Sequence, residues 1–289
     1  MFVLVNALVM VTINIVLSVL GVQPYLTQNG LDMGSLMAFC LVWGFGGALI
    51  SLALSRIMAK MMMRVRVVPK DSRDPMESRL VERVHQLARS AGLNTMPEVG
   101  VYESPEVNAF ATGPTKNRAL VAVSTGLLNR LDGQAVDGVL GHEIAHIANG
   151  DMVTMTLVQG VVNAFVMFFA RIIAWAIANA VESRNRPMVH MLSVIVLEIL
   201  LSFLGMMVVA YFSRWREYRA DAGGARFAGQ DSMIHALKSL QRSIGMVEQD
   251  HPSLASFKIN GRKPSGLLAL FSTHPPLEER IARLETMRA

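Results

Sequence analysis

Cysteine is almost absent from this sequence: Cys40 stands alone among 289 residues. One thiol cannot close an internal disulfide or build a cysteine metal site, so a disulfide scaffold and a zinc finger are both excluded. Charge is scarce as well, at 17% Asp, Glu, Lys and Arg, where soluble domains carry about 25%. With 52% apolar residues, the chain has the opposite balance from a disordered one. The net charge of +5 could suggest nucleic acid. However, the basic residues flank apolar stretches and form no patch with aromatics, so nucleic-acid binding is not expected. Membrane insertion with Lys and Arg held on the cytoplasmic side is the better reading. Cys40 falls inside one of the apolar stretches and reads as a buried thiol.

Residues 1–31 hold no acidic or basic side chain, and Phe2 to Val22 is almost wholly apolar. At about 1.5 Å of rise per residue, some 20 such residues cross a hydrocarbon core of about 30 Å. A cleaved signal peptide would want a basic start and a small-residue cleavage site, and here a second apolar stretch, Gly34 to Ser55, follows at once. A retained anchor is expected. The connector Gln23 to Met33 has no Lys or Arg, whereas Arg56, Lys60, Arg64, Arg66 and Lys70 follow the second stretch. Both ends of this first hairpin are therefore expected in the cytoplasm.

Met152 to Val181 and Met188 to Phe212 bring the expected transmembrane helices to four. They contain Arg171 and Glu198, which at such depth should pair or line a watery cavity, unless Arg171 snorkels to the interface. Arg184 and Arg186 in the connector weaken the charge rule here, while Arg214, Arg216 and Arg219 favour a cytoplasmic exit.

The polar middle, Val67 to Asp151, reads as a mixed α and β region. Leu80, Val81, Val84, Leu87, Ala88 and Ala91 make a helical stripe over Met76 to Ala91. Pro97 to Tyr102, Val107 to Thr112 and Ala119 to Val123 read as strands between turn residues. Helices are expected over Thr125 to Leu131, Gly133 to Asn149, Tyr218 to Gly245 and Pro276 to Arg288, with a loop at Pro252 to Ser265.

The expected helix Gly133 to Asn149 contains His142-Glu143-Ile144-Ala145-His146. Residues four apart share a helix face, so both imidazoles can address one ion, and Zn²⁺ suits neutral histidine nitrogen. Glu143 lies near that face as a general base for water made acidic by the metal. A carboxylate on so apolar a helix needs a partner, which a cation would supply. A third protein ligand is needed, leaving the fourth position for water. Glu198, Glu217, Asp221, His251 and His274 are candidates. Glu217 and Asp221 are four apart at the expected start of a helix past the fourth stretch. One could bind the metal while the other orients an imidazole, although a solvated acidic face has the same spacing.

Asn108-Ala109-Phe110-Ala111-Thr112-Gly113, His142-Glu143-Ile144-Ala145-His146 and Asn149-Gly150-Asp151 together resemble the HtpX family of membrane zinc proteases. Ser213-Arg214, Glu217-Tyr218, Ala220-Asp221-Ala222, and His274-Pro275-Pro276 followed by Arg280-Ile281 also match. The pieces run in the family's order over essentially the whole chain. This family is related to the prenyl-protein proteases that cut after a lipidated cysteine. The resemblance implies one Zn²⁺ per chain, Glu217 as third ligand and Asp221 as its structural partner. It also implies a mainly α integral membrane protein with a small α+β zincin-like catalytic domain.

The expected organisation is a transmembrane hairpin over 1–55, a catalytic part over 56–151, a second hairpin over 152–213, and a helical part over 214–289 that donates the third ligand. Two crossings, or none, between His146 and Glu217 keep all ligands on one side, which the basic flanks make cytoplasmic. Asn108, Ala109, Phe110 and Ala111 are candidates for an edge strand that holds extended substrate through main-chain hydrogen bonds; an ordinary sheet strand is the alternative. His274 and Arg280 are candidates for stabilising an oxyanion, against a purely local role at the last helix. The expected partners are the lipid bilayer and polypeptide or membrane-protein substrates. The resemblance implies quality control of misfolded membrane proteins in a bacterial inner membrane under stress. A membrane scaffold with a structural zinc is the rival reading.

Overall fold

The computed structural model describes residues 2–21, 25–27, 30–250 and 266–287. His251 and the expected loop Pro252 to Ser265 lie outside them. The chain divides into two compact units, one of Met1–Leu52 with Thr154–Phe212 and one of Ala53–Val153 with Ser213–Ala289.

The first unit is helical. It contains α1 (Phe2–Val19), most of α2 (Met33–Met62), most of α6 (Asp151–Asn179) and the first part of α7 (Arg186–Ala228). A short hairpin pairs β1 (Leu26–Thr27) with β2 (Gly30–Leu31). Among the described residues, three helical stretches are long and apolar enough to cross a membrane: Met33–Met62, Asp151–Asn179 and Ser183–Ala228. Their large side chains, Phe165, Ile199 and Leu204 among them, stay exposed, whereas Ala164, Ala170, Ala174 and Ala178 of α6 are buried. Small residues inside and bulky ones outside is the order expected where lipid replaces water as solvent. Cys40 is buried. Arg171 Nη1 donates to Glu198 Oε1 at 2.6 Å, and its guanidinium lies 5.2 Å from the Phe39 ring centre. Of the alternatives left open for these two residues, pairing is the one that forms.

The second unit is built on a four-stranded mixed sheet of β3 (Arg66–Val67), β4 (Glu98–Tyr102), β5 (Ala109–Thr112) and β6 (Leu120–Ser124), in the order β3-β4-β6-β5. β4 and β6 run parallel, and the outer strands are antiparallel to their neighbours. On the sheet pack α3 (Pro75–Ser90) and α5 (Gly133–Asn149), joined by α4 (Thr125–Arg130). The helix starts follow from capping. Asp74 accepts from the Met76 and Glu77 N–H groups and Asp132 from that of Ala135, satisfying donors that have no partner within the helix. The predicted stripe of α3 is buried from Leu80 to Ala88. α8 (Gln230–Asp250) lies against α5, and α9 (Leu277–Thr286) against α8.

Two expected boundaries are corrected. Glu217 does not open a new helix: α7 runs unbroken from Arg186 to Ala228, because no proline, glycine or cap interrupts Phe212 to Tyr218. The expected helix Tyr218 to Gly245 is instead broken at Gly229, whose φ of 95° no helix can hold.

Candidate metal centre

His142 and His146 lie one turn apart on α5, and their rings meet edge to face with centroids 4.6 Å apart. The two Nε2 atoms are 3.1 Å apart. Glu217, on α7 and only 1% exposed, brings a carboxylate to both: Oε2 lies 3.4 Å from His142 Nε2, and Oε1 lies 3.4 Å from His146 Nε2. One ligand atom from each of the three residues lies within 4.8 Å of the others. This approach requires backbone contact between helices. Gly224 sits two turns beyond Glu217, and a Cβ there would come within 3.0 Å of the His142 nitrogen.

These residues fit a divalent cation on two counts. Donors held about 2.0–2.2 Å from a tetrahedral zinc stand about 3.3–3.6 Å apart, near the 3.1 Å between the two imidazole nitrogens and the 3.4 Å from each to its nearer Glu217 oxygen. Charge agrees as well. With Glu143 counted, the carboxylates of Glu143, Asp151, Glu217 and Asp221 face the guanidiniums of Arg216 and Arg280, an excess of two negative charges around two imidazoles. Two nitrogen lone pairs converging with a buried carboxylate repel one another unless protons or a metal cation lie between them.

The surroundings fix the ligands. Asp221 Oδ1 lies 2.9 Å from His142 Nδ1. Arg280, from α9, grips both oxygens of Asp221, with Nε donating at 2.8 Å and Nη2 at 2.6 Å. Such a bidentate fork is among the stronger charged contacts, and here it is buried. His274 Nδ1 lies 3.0 Å from Glu217 Oε2 while its side chain stays more than half exposed. Glu143 is half-buried on α5 beside His142, within electrostatic reach of His146 and Arg280.

Without metal, burial pulls His146 downward, but the Asp151 and Glu217 carboxylates outweigh it and push it up to about 9. His142 is raised too: burial opposes its charge, and Asp221 and Glu217 prevail. Arg280 is likewise held protonated by Asp221 and Glu217 against burial.

Of the other candidate ligands, Glu198 is paired with Arg171, Asp221 faces the far nitrogen of His142, and His274 contacts Glu217. β5 is a sheet edge packed beside α5. It starts two residues later than expected, because Asn108 bonds to Ser124: the Asn108 N–H donates to Ser124 Oγ, and its carbonyl accepts from the Ser124 N–H. Ala109, Phe110 and Ala111 are half-buried. His85 contacts the Pro97 carbonyl and His235 contacts Asp132, both structural. Two residues at the centre were not among the candidate site residues of the sequence reading. Asp151 Oδ2 lies 2.7 Å from His146 Nδ1, and Arg216 Nη2 donates to Glu217 Oε1 at 3.1 Å. A glycine closing the metal helix and followed at once by an acid was the available signal for the first. Arg216 had none beyond its place next to Glu217.

Residues 75–288 match the profile of peptidase family M48. Along nearly its whole length the chain is similar to proteins named Protease HtpX homolog. That of Bacillus licheniformis is 56% identical over 292 residues, covering 99% of this chain and 97% of the relative. That of Bacillus subtilis is 55% identical over 293 residues, with the same shares. Protease HtpX of Thioalkalivibrio sulfidiphilus is 48% identical, over 100% of this chain and 98% of the relative. Among solved structures, that of S. mikatae Ste24p shares the fold, with a TM-score of 0.61 at 17% identity. The likeness covers 86% of this chain but 58% of Ste24p, so the chain spans little more than half of that protein.

Proposed function

Because this chain belongs to peptidase family M48 and is a membrane metalloprotease of the HtpX type, we propose that one Zn²⁺ is held by His142, His146 and Glu217. The observation that carries this reading is the convergence of two imidazole nitrogens, 3.1 Å apart, on a buried carboxylate whose oxygens lie 3.4 Å from one and the other. When bound, zinc supplies Lewis acidity that polarises a peptide carbonyl and makes water acidic near neutral pH. Glu143 takes the water's proton and passes it to the leaving amine. Asp221, gripped by Arg280, keeps a proton on His142 Nδ1 and so turns Nε2 towards the ion. With its fork engaged in that grip, Arg280 acts by holding Asp221, and exposed His274 is the donor assigned to the developing oxyanion. Extended substrate adds along the free edge of β5, where Ala109 and Ala111 turn main-chain groups indifferent to sequence away from β6, those of Asn108 being taken by Ser124.

The substrates in this reading are polypeptides, chiefly misfolded membrane proteins, cut on the cytoplasmic side of a bacterial inner membrane as part of quality control under stress. The basic flanks of the spans support that side, and the likeness to HtpX supports the role. α1 serves as the fourth span, at 18 residues without a charge. A structural zinc would be closed by four protein ligands, and three converge among the described residues, which favours an enzyme over a scaffold. The test is Glu143→Gln in detergent-purified protein. Zinc should be retained at one per chain while cleavage of an unfolded polypeptide falls at least a hundredfold. Unchanged cleavage would remove Glu143 from the base role.

A further inference from the structure

We infer that Asp151 is a positioning residue for the reaction: it holds His146 in the tautomer and ring orientation that metal binding needs, and Gly150 folds it back to do so. This rests on His142, His146 and Glu217 being the metal ligands. On a straight helix, a residue five positions on points about 140° away, so Asp151 could not reach His146 if α5 simply continued. Gly150 breaks the path. Its φ of 74° is the left-handed conformation glycine adopts at helix ends, and its N–H closes α5 on the carbonyls of His146 and Ile147. α6 starts at the next residue, with the Val153 N–H bonded back to the Gly150 carbonyl. The one-residue junction returns Asp151 beneath His146, 2.7 Å from Nδ1.

The carboxylate is 2% exposed, and it opens the 29-residue α6. There the positive end of the helix dipole favours an anion. An ionised carboxylate can only accept, so the proton must sit on His146 Nδ1. The lone pair of Nε2 is then left for the ion, directed at the same point as His142 Nε2 and Glu217 Oε1. His142 has the matching arrangement through Asp221, but that carboxylate is held by Arg280, whereas Asp151 stands at the start of a helix. The two imidazoles are thus oriented by separate devices.

The test uses full-length protein stripped of metal and titrated with Zn²⁺ or Co²⁺ against a chromophoric chelator. Asp151→Ala should weaken affinity about 10–100-fold and alter the visible spectrum of bound Co²⁺. Asp151→Asn keeps an acceptor oxygen and should fall between alanine and wild type, with the fall in kcat following the fall in affinity. Wild-type affinity and an unaltered Co²⁺ spectrum in Asp151→Ala would overturn the assignment. So would a loss that merely tracks a lower melting temperature of the metal-free protein, since Asp151 would then serve only the start of α6. A wild-type chain that takes up no metal would overturn the reading of the centre and this assignment with it. Uptake by wild type together with an unaltered alanine variant overturns this assignment alone.

Discussion

Each unit sets ionisable groups among apolar helices, and the two settings differ in balance. In the helical unit, Arg171 and Glu198 form a closed pair: one cation meets one anion at 2.6 Å, and the aliphatic and aromatic neighbours complete the packing. In the second unit, Arg280, Asp221, His142, Glu217, His146 and Asp151 form a continuous network with more acid than base. A pair whose charges cancel marks a packing solution. A network whose imidazole nitrogens and carboxylate converge on one place is an arrangement that a cation would complete. Burial alone does not separate the two cases; charge balance and donor direction do.

Several substitutions would sharpen or break that contrast. The largest effect is expected from Glu217→Ala, which removes one donor of three: bound zinc, measured by elemental analysis after dialysis, should drop from one per chain to a small fraction. Full retention would mean the ion is held elsewhere. Next is Arg280→Met, which strands the buried Asp221 carboxylate. Removing one partner of a buried pair destabilises by about 3–5 kcal/mol, seen here as a lower melting temperature and lost activity. A smaller loss is expected from Arg171→Leu, about 1–3 kcal/mol, because the Glu198 side chain is 35% exposed. Adding Glu198→Leu should recover most of it, since a closed pair can be exchanged for apolar contact. The corresponding double change of Arg280 and Asp221 should recover stability but not metal affinity. Equal rescue of both functions would erase the distinction between the units.

The mildest effect concerns pH. In the metal-free protein His146 is raised to about 9, above its unfolded value of about 6.5. A raised histidine contributes stability that is fully present below pH 6.5 and is lost as pH rises through about 9. Metal must displace that proton, so affinity for Zn²⁺ should rise with pH up to about 9 and then level off. Calorimetry in buffers of different ionisation enthalpy should show proton release on binding at pH 7. Binding without proton release would contradict the raised value.

Local patterns were legible where neighbours along the chain decide the outcome. The stripe of α3 and the i, i+4 histidines of α5 depend only on helical geometry, and the strand runs at β4 and β6 on β-rich composition between turn residues. The junction at Phe212 to Tyr218 misled the reading because the composition changes there from apolar to charged while the backbone does not change at all. Hydropathy reports the solvent around a helix and not its continuity. The end of that helix was missed for the converse reason: Gly229 lies in a run of helix-forming residues and acts through its dihedral alone.

By itself the sequence determined that four apolar stretches alternate with polar ones, and that two imidazoles share one helix face with a glutamate beside it. Hydrophobic length and a 3.6-residue period need no partner elsewhere. Which carboxylate completes the centre was left open by spacing, since Glu198, Glu217 and Asp221 are alike in residue type. Only the tertiary structure set Glu217 against both imidazoles and gave Asp221 to Arg280 and Asp151 to His146. Those choices depend on how closely two helix backbones approach at Gly224, and on one left-handed glycine at position 150. Distances of a few ångströms between separate elements decide them, and no periodicity along the chain encodes such distances.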